Sequence, residues 1–89
     1  MDLWIRSQDK EDLVNSPLRV YYDKNYEEVH QLKANTYDET ICLGTYKTKE
    51  RALEVLDEIQ KLDINNNSNV EVVWYFSTLI KITYNMPEE

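Results

Sequence analysis

The segment that most constrains the fold of this chain is 44–60, which joins a turn to a capped, amphipathic helix. Thr48 comes just before the helical pattern, and its hydroxyl can accept a hydrogen bond from a free backbone N–H of the first turn. We therefore predict a helix over about 49–62. Its apolar residues recur at helical spacing and form one stripe. They are Ala52, Val55, Leu56, Ile59 and Leu62.

Segments rich in alternating, β-branched and aromatic residues precede this helix and predict strands. The segment 27–34 also fits helical spacing, but the turn residues around it favour a strand. A hairpin turn is expected at 23–25, where Asn25 tolerates a left-handed conformation. Gly44 inside the last of these strands predicts a bulge or a close backbone approach. The predicted strands are 2–7, 13–14, 18–22, 27–34 and 40–46.

The most apolar segment, 70–84, follows the helix and an asparagine-rich loop. Its β-branched residues favour one long strand, or two strands broken near Ser77 and Thr78, and a helix is the alternative. The tail 85–89 contains Pro87 and two acids, and we expect it to be frayed.

These elements predict one small α+β domain over residues 1–89. Short early connections favour an antiparallel sheet with the helix packed on one face. A chain of 89 residues lies near the small end of what folds alone, so a homo-oligomer is expected.

The formal net charge of −7 disfavours binding to a nucleic-acid backbone. The acidic surface either keeps the protein soluble or engages a basic partner, as a nucleic-acid mimic would. Cys42 is the sole cysteine, which excludes a disulfide within the chain and suits a reducing compartment. Because the sequence also lacks a secretory segment and a run long enough to cross a bilayer, we expect a cytoplasmic protein without membrane contact.

Residue types that support catalysis or metal binding are scarce. One histidine, His30, and one cysteine cannot form a zinc site of usual composition within a chain. A single glycine rules out a glycine-rich phosphate loop, and the common nucleotide and hydrolase motifs do not occur. We therefore predict a protein that is not an enzyme and that uses no metal or cofactor.

Binding residues are better represented. Three cations flank Thr48, at the end of a helix where anions are favoured: Lys47, Lys49 and Arg51. They are either half of an anion site or a solvated face that destabilises the helix by a few tenths of a kcal/mol each. Trp4 and Arg6 share a strand face, so they can stack on a planar ligand and hold its phosphate, or else pack at the core and its edge. The aromatic run 74–76 favours the core or a subunit interface over a ligand platform.

Three blocks, 3–10 (LWIRSQDK), 43–60 (LGTYKTKERALEVLDEIQ) and 84–89 (YNMPEE), resemble a family of short proteins encoded by phages and prophages of low-GC Gram-positive bacteria. Small phage proteins of this kind often counter host defence. In size class and in mixing a sheet with helix, the chain is also loosely similar to the anti-Thoeris sponges, which bind cyclic nucleotide-like immune signals as oligomers without cleaving them. That analogy transfers no binding residue.

The resemblance and the cationic cluster together predict a non-enzymatic phage or prophage protein that sequesters a nucleotide-derived immune signal. Trp4 or Tyr46 would stack on the base, and the phosphates would be held at the helix start by Arg6, Lys47, Thr48, Lys49 and Arg51. The alternative is an acidic inhibitor that docks on a basic host defence or transcription protein, as a DNA mimic would.

Overall fold

The computed structural model describes residues 2–23 and 29–89. Within them it contains seven strands and one helix, close to the predicted segments. The elements are β1 (Asp2–Arg6), β2 (Leu13–Asn15), β3 (Arg19–Asp23), β4 (His30–Asn35), β5 (Thr40–Tyr46), α1 (Lys49–Lys61), β6 (Val70–Tyr75) and β7 (Thr78–Asn85). The expected hairpin turn at 23–25 and the first residues of the expected strand 27–34 lie largely outside the described residues.

The strands form two sheets. One has four strands in the order β2-β1-β7-β6, and the other is an antiparallel β3-β4-β5 meander. In the four-stranded sheet β1 and β7 run parallel, with Ile5 opposite Tyr84, while both outer pairs are antiparallel. The α+β class with a single described helix is confirmed. The division into two sheets and the parallel pair were not expected, because pairing between the two ends of a chain cannot be read from short connections.

Helix α1 begins at the predicted residue and ends at Lys61, one residue before the predicted end. The Oγ1 of Thr48 accepts a hydrogen bond from the backbone N–H of Arg51 at 3.0 Å. At the other end Leu62 adopts a left-handed conformation with φ of 41°, and its N–H donates to the carbonyl of Glu58. The helix packs on the three-stranded sheet and buries Ala52, Val55 and Ile59.

The core spans both sheets and the helix. Its largest fully buried side chains are Ile5, Leu32, Leu43, Val55 and Tyr84. The hydroxyl of Tyr84 donates to Glu58 Oε2 at 2.9 Å, and Glu58 is half-buried. Burial, and then this bond to Glu58, raise the pKa of Tyr84.

Gly44 lies beside a β-bulge, and another segment of the chain approaches its backbone closely. Leu32 pairs with Gly44 and Lys33 with Cys42, so Leu43 is the extra residue in β5. A Cβ on Gly44 would lie 3.1 Å from the Tyr46 hydroxyl and 3.2 Å from Gln8 Cβ. Glycine at this position therefore lets the start of the loop after β1 approach β5.

The segment 70–84 forms two strands, β6 and β7, joined by Phe76 and Ser77. This confirms the two-strand alternative, while the single strand and the helix are wrong. The break falls where expected because Phe76 takes a left-handed conformation with φ of 55°.

The end of the chain differs from the frayed tail expected at 85–89. Met86 is 4% exposed and belongs to the core, and its N–H donates to the carbonyl of Arg6 at 3.0 Å. The carbonyl of Pro87 accepts a hydrogen bond from the Tyr46 hydroxyl at 2.8 Å. Proline and two acids are typical of a loose tail, but these long-range bonds hold the segment against β1 and β5.

Candidate functional site

The side chain of Gln8 connects three distant parts of the chain. Its Oε1 accepts from the N–H of Thr45 at 2.9 Å, and its Nε2 donates to the carbonyl of Thr45 at 3.0 Å. The same Nε2 lies 3.3 Å from the carbonyl of Pro87 and 2.8 Å from that of Glu88. We call this region, formed by Gln8, Thr45, Tyr46, Pro87 and Glu88, the junction. It joins the loop after β1, the end of β5 and the tail.

Tyr46 supports the junction from inside. Its side chain is 4% exposed, and its hydroxyl donates to the carbonyl of Pro87. Burial raises the pKa of Tyr46 to about 12. The phenol therefore stays neutral around pH 7 and acts as a hydrogen-bond donor.

A concavity of about 390 Å³ opens beside the junction and the start of α1. Its volume falls within the range of small-molecule sites. Two cations, Lys47 and Arg51, line it together with two tail acids, Glu88 and Glu89, and the remaining wall comes from Thr45 and Tyr46.

Arg51 is engaged by its neighbours in the concavity. Its Nε donates to the carbonyl of Glu89 at 2.9 Å, and its Nη1 lies 3.7 Å from Glu54 Oε2. The guanidinium therefore already contacts oxygen atoms. A bound phosphate can replace them, since a planar guanidinium donates to phosphate and to carboxylate in the same way.

The structure gathers only part of the predicted binding set. Tyr46, Lys47 and Arg51 line the concavity, and Thr48 caps the helix beside them. Lys49 turns away, with its Nζ 5.7 Å from the ring centroid of Tyr22.

Trp4 and Arg6 lie elsewhere, on the four-stranded sheet, where they alternate with the buried Ile5. Lys81 Nζ lies 5.3 Å from the Trp4 ring centroid, and Arg6 Nη1 donates to the carbonyl of Lys10 at 3.1 Å. Alternation along β1 placed these two residues on one face, as predicted. It could not show that β1 belongs to the four-stranded sheet, whereas α1 packs on the three-stranded sheet.

Sequence reasoning missed Gln8, Glu88 and Glu89 as residues of this region. Gln8 stands at the start of a charged stretch and looks like part of a polar turn. The tail acids look solvent-directed for the same reason. The one usable signal was Gly44, which predicts that another segment approaches its backbone. That segment contains Gln8.

The tip of the β6–β7 hairpin carries a second distinctive surface. Trp74, Tyr75 and Phe76 are 53%, 64% and 88% exposed, and Val73 and Ile80 beside them are also exposed. The Tyr75 and Phe76 rings pack edge to face with centroids 4.6 Å apart. We call these five residues the hairpin patch. They lie outside the core, which leaves a subunit interface and the less favoured ligand platform as the sequence-based interpretations.

The outward side of α1 is acidic. Glu50, Glu54 and Asp57 are exposed and recur at spacings of four and three, which places them on one side of the helix. We call them the acidic helix face.

Groups suited to metal or nucleophilic chemistry are dispersed. Among residues 2–23 and 29–89, no three histidine, cysteine or acidic side chains gather where they could hold a metal ion. His30 Nδ1 lies 2.9 Å from the Tyr22 hydroxyl. Cys42 is exposed. In the β4–β5 register Cys42 lies opposite Lys33 and His30 lies opposite Tyr46, so Cys42 and His30 are at different positions along the two strands.

No helix in the described part of the chain is both long enough and apolar enough to cross a bilayer. Comparisons with protein-family models, with curated proteins and with solved structures found no match for this chain.

Proposed function

We propose that this protein is a non-enzymatic binding protein that sequesters a small nucleotide-derived anion in the concavity at the start of α1. The observation that supports this most directly is that Lys47 and Arg51 line one concavity together. The wider role, countering antiviral defence of a bacterial host as a phage or prophage protein, rests on the sequence resemblance.

The chemistry of the concavity suits phosphate. An arginine guanidinium donates two parallel hydrogen bonds to a phosphate, and a lysine adds a mobile positive charge. Arg51 also lies in the first turn of α1, the end at which the helix dipole favours negative charge. Sequestration requires binding alone and no reacting side chain.

Binding has to displace the tail acids. Glu88 and Glu89 line the same concavity, and Arg51 already contacts the Glu89 carbonyl and the Glu54 carboxylate. A ligand phosphate would take over these contacts of Arg51, and the tail carboxylates would repel it. The tail therefore competes with the ligand and sets its affinity.

Isothermal titration calorimetry tests this proposal with a panel of cyclic dinucleotides, cyclic ADP-ribose isomers and mononucleotides. We expect binding heat for at least one compound. Arg51→Gln should weaken that binding by about tenfold or more, because it removes a charged phosphate partner. Arg19→Gln is the matched control, since Arg19 stacks on Tyr21 in β3 and does not line the concavity.

The double variant Glu88→Gln with Glu89→Gln should bind the same compound more tightly than the wild type, because it removes two repelling charges. Absence of heat for every compound at micromolar protein concentration would contradict the proposal. Equal losses in Arg51→Gln and Arg19→Gln would place the ligand elsewhere.

A second candidate function uses the acidic helix face. Exposed Glu50, Glu54 and Asp57 and the net charge of −7 favour docking on a basic protein surface, as in a DNA mimic. A pull-down from host lysate should then capture one stoichiometric protein whose association slows as salt rises. The variant with Glu50→Gln, Glu54→Gln and Asp57→Asn should lose that protein, whereas neutralising Glu11, Asp12 and Glu39 together should retain it.

A further inference from the structure

We infer that the β6–β7 hairpin is a self-association surface on which a second copy of this chain pairs its own β6 strand around a two-fold axis. The inference is independent of the ligand site, because the hairpin patch shares no residue with the concavity. Three observations support it: an open strand edge, an exposed aromatic area and a strained backbone position.

Strand β6 is the edge of the four-stranded sheet, so within residues 2–23 and 29–89 no strand pairs with its outer backbone groups. Native edge strands usually carry lysine, proline or a bulge that blocks further pairing. The sequence of β6, VEVVWY, contains neither lysine nor proline. The irregularity in this hairpin gives its extra residue, Ile80, to β7, so β6 itself runs uninterrupted.

The charge on β6 also permits self-pairing. Glu71 is its single charged residue, and it accepts a hydrogen bond from Asn85 Nδ2 at 2.7 Å. In an antiparallel pair about a two-fold axis, the two Glu71 side chains stand opposite each other only if the axis passes through Glu71. Every register centred farther toward the hairpin tip separates them and brings the valines and aromatic residues together.

The exposed area fits a contact between two copies. At 53%, 64% and 88% exposure, the three aromatic side chains present roughly 400 Å² of surface. That is about half of the roughly 800 Å² that each partner buries in an interface of standard size. Val73, Ile80 and the β6 backbone supply further area, and a two-fold axis uses the same patch on both copies.

The third observation is the backbone conformation of Phe76. Its φ of 55° lies in the left-handed region, which is unfavourable for a residue with a Cβ and is usually occupied by glycine at the first position of a two-residue hairpin loop. At 88% exposure, its side chain recovers little by packing within its own chain. A large aromatic residue at a strained, exposed position points to a contact outside the chain.

Sedimentation equilibrium over a range of protein concentrations tests the inference. We expect the wild type to form a dimer at micromolar concentration. Trp74→Ala should raise the dimer dissociation constant by about thirtyfold or more, because each dimer loses two aromatic anchors. Tyr37→Ala is the matched control, since Tyr37 is 96% exposed outside the hairpin and its loss should leave the dissociation constant unchanged.

Two further variants separate strand pairing from side-chain contact. Val73→Lys places a charge on the open edge and should abolish dimerisation by blocking β6 pairing. Phe76→Gly should weaken the dimer while leaving the circular dichroism spectrum and monomer fold intact. Because each copy carries a charge of −7, rising salt should tighten the dimer by screening repulsion around an uncharged contact.

A wild type that stays monomeric at high micromolar concentration would overturn the inference. So would a dimer unaffected by Trp74→Ala and Val73→Lys, which would place the contact elsewhere. A dimer that weakens as salt rises would indicate an ionic interface instead of the hairpin patch. The calorimetric result at the concavity stands apart from all of these outcomes.

Discussion

The junction and the hairpin patch use tyrosine in opposite ways. Tyr46 in the junction is 4% exposed, and its hydroxyl bonds to the carbonyl of Pro87. Tyr75 in the hairpin patch is 64% exposed and packs edge to face against its chain neighbour Phe76. The first tyrosine stabilises the fold through contacts far along the chain, while the second is left available to another molecule.

The difference lies in what covers the end of each strand, because β5 and β6 are both edge strands of their sheets. Tyr46 ends β5, where its hydroxyl bonds to the carbonyl of Pro87 in the tail, whereas Tyr75 ends β6 and is exposed. If this is the right physical distinction, the same substitution should have large effects on stability in one region and small effects in the other.

The largest expected contrast compares Tyr46→Ala with Tyr75→Ala. Removing the buried Tyr46 ring should lower the free energy of unfolding by about 3–5 kcal/mol, the usual range for a large core side chain. Tyr75→Ala should change it by about 0.5 kcal/mol in the monomer, as exposed substitutions do. Urea denaturation at a concentration below dimerisation measures both, and equal losses would contradict the distinction.

Alkaline pH should reduce stability through the buried tyrosines. An unfolded tyrosine ionises near pH 10, whereas folded Tyr46 keeps its proton until about pH 12. Over this range the unfolded state binds fewer protons, so the free energy of unfolding falls as pH rises. The Tyr46 contribution is fully present below pH 10, and at about 1.4 kcal/mol per pKa unit it amounts to about 2–3 kcal/mol.

Burial shifts the pKa of Tyr84 in the same direction and adds to the alkaline loss. Urea denaturation on both sides of pH 10 measures the total. Tyr46→Phe should show a shallower decline than the wild type. A free energy of unfolding that stays constant through this range would show that neither phenol is held neutral by burial.

Gln8→Ala should lower the free energy of unfolding by about 1–3 kcal/mol, because it leaves the Thr45 N–H and the junction carbonyls without their partner. Gln60→Ala is the matched control, since Gln60 is exposed on α1 and should give a change within about 0.5 kcal/mol. Thermal unfolding of both variants at one protein concentration measures the difference. Similar transition temperatures would remove Gln8 from its structural role.

The smallest effect has the opposite sign. Phe76→Gly should stabilise the monomer by about 1 kcal/mol, since glycine adopts the left-handed conformation without the steric penalty of a Cβ. Denaturation of dilute protein measures this change. Destabilisation by Phe76→Gly would mean that the ring packs within its own chain, which would weaken the contrast between the two regions.

Local elements were predictable because their signals are local. The cap at Thr48, the stripe from Ala52 to Leu62 and the alternation in β1 and β5 each depend on neighbouring residues. The break in 70–84 was one of two strand alternatives, because β-branched residues favour strands without deciding between one and two. The close approach at Gly44 was anticipated without its partner, Gln8.

The arrangement of these elements was less predictable. The parallel pairing of β1 with β7 joins the two ends of the chain, and no local pattern reports such a pair. The same long-range pairing brings Met86 and Pro87 onto the core and places Glu88 and Glu89 in the concavity. Of the predicted binding residues, Tyr46, Lys47 and Arg51 do line the concavity. Trp4 and Arg6 do not, because their strand β1 belongs to the four-stranded sheet.

Native mass spectrometry of the intact protein with the nucleotide panel tests the central claim most directly. We predict one retained nucleotide per chain on the wild type and on Arg19→Gln, and a much smaller retained fraction on Arg51→Gln. The same spectra report the subunit number separately. Wild-type protein that carries no nucleotide from any compound, or Arg51→Gln that retains as much as the wild type, would contradict the claim that the concavity at the start of α1 is a binding site.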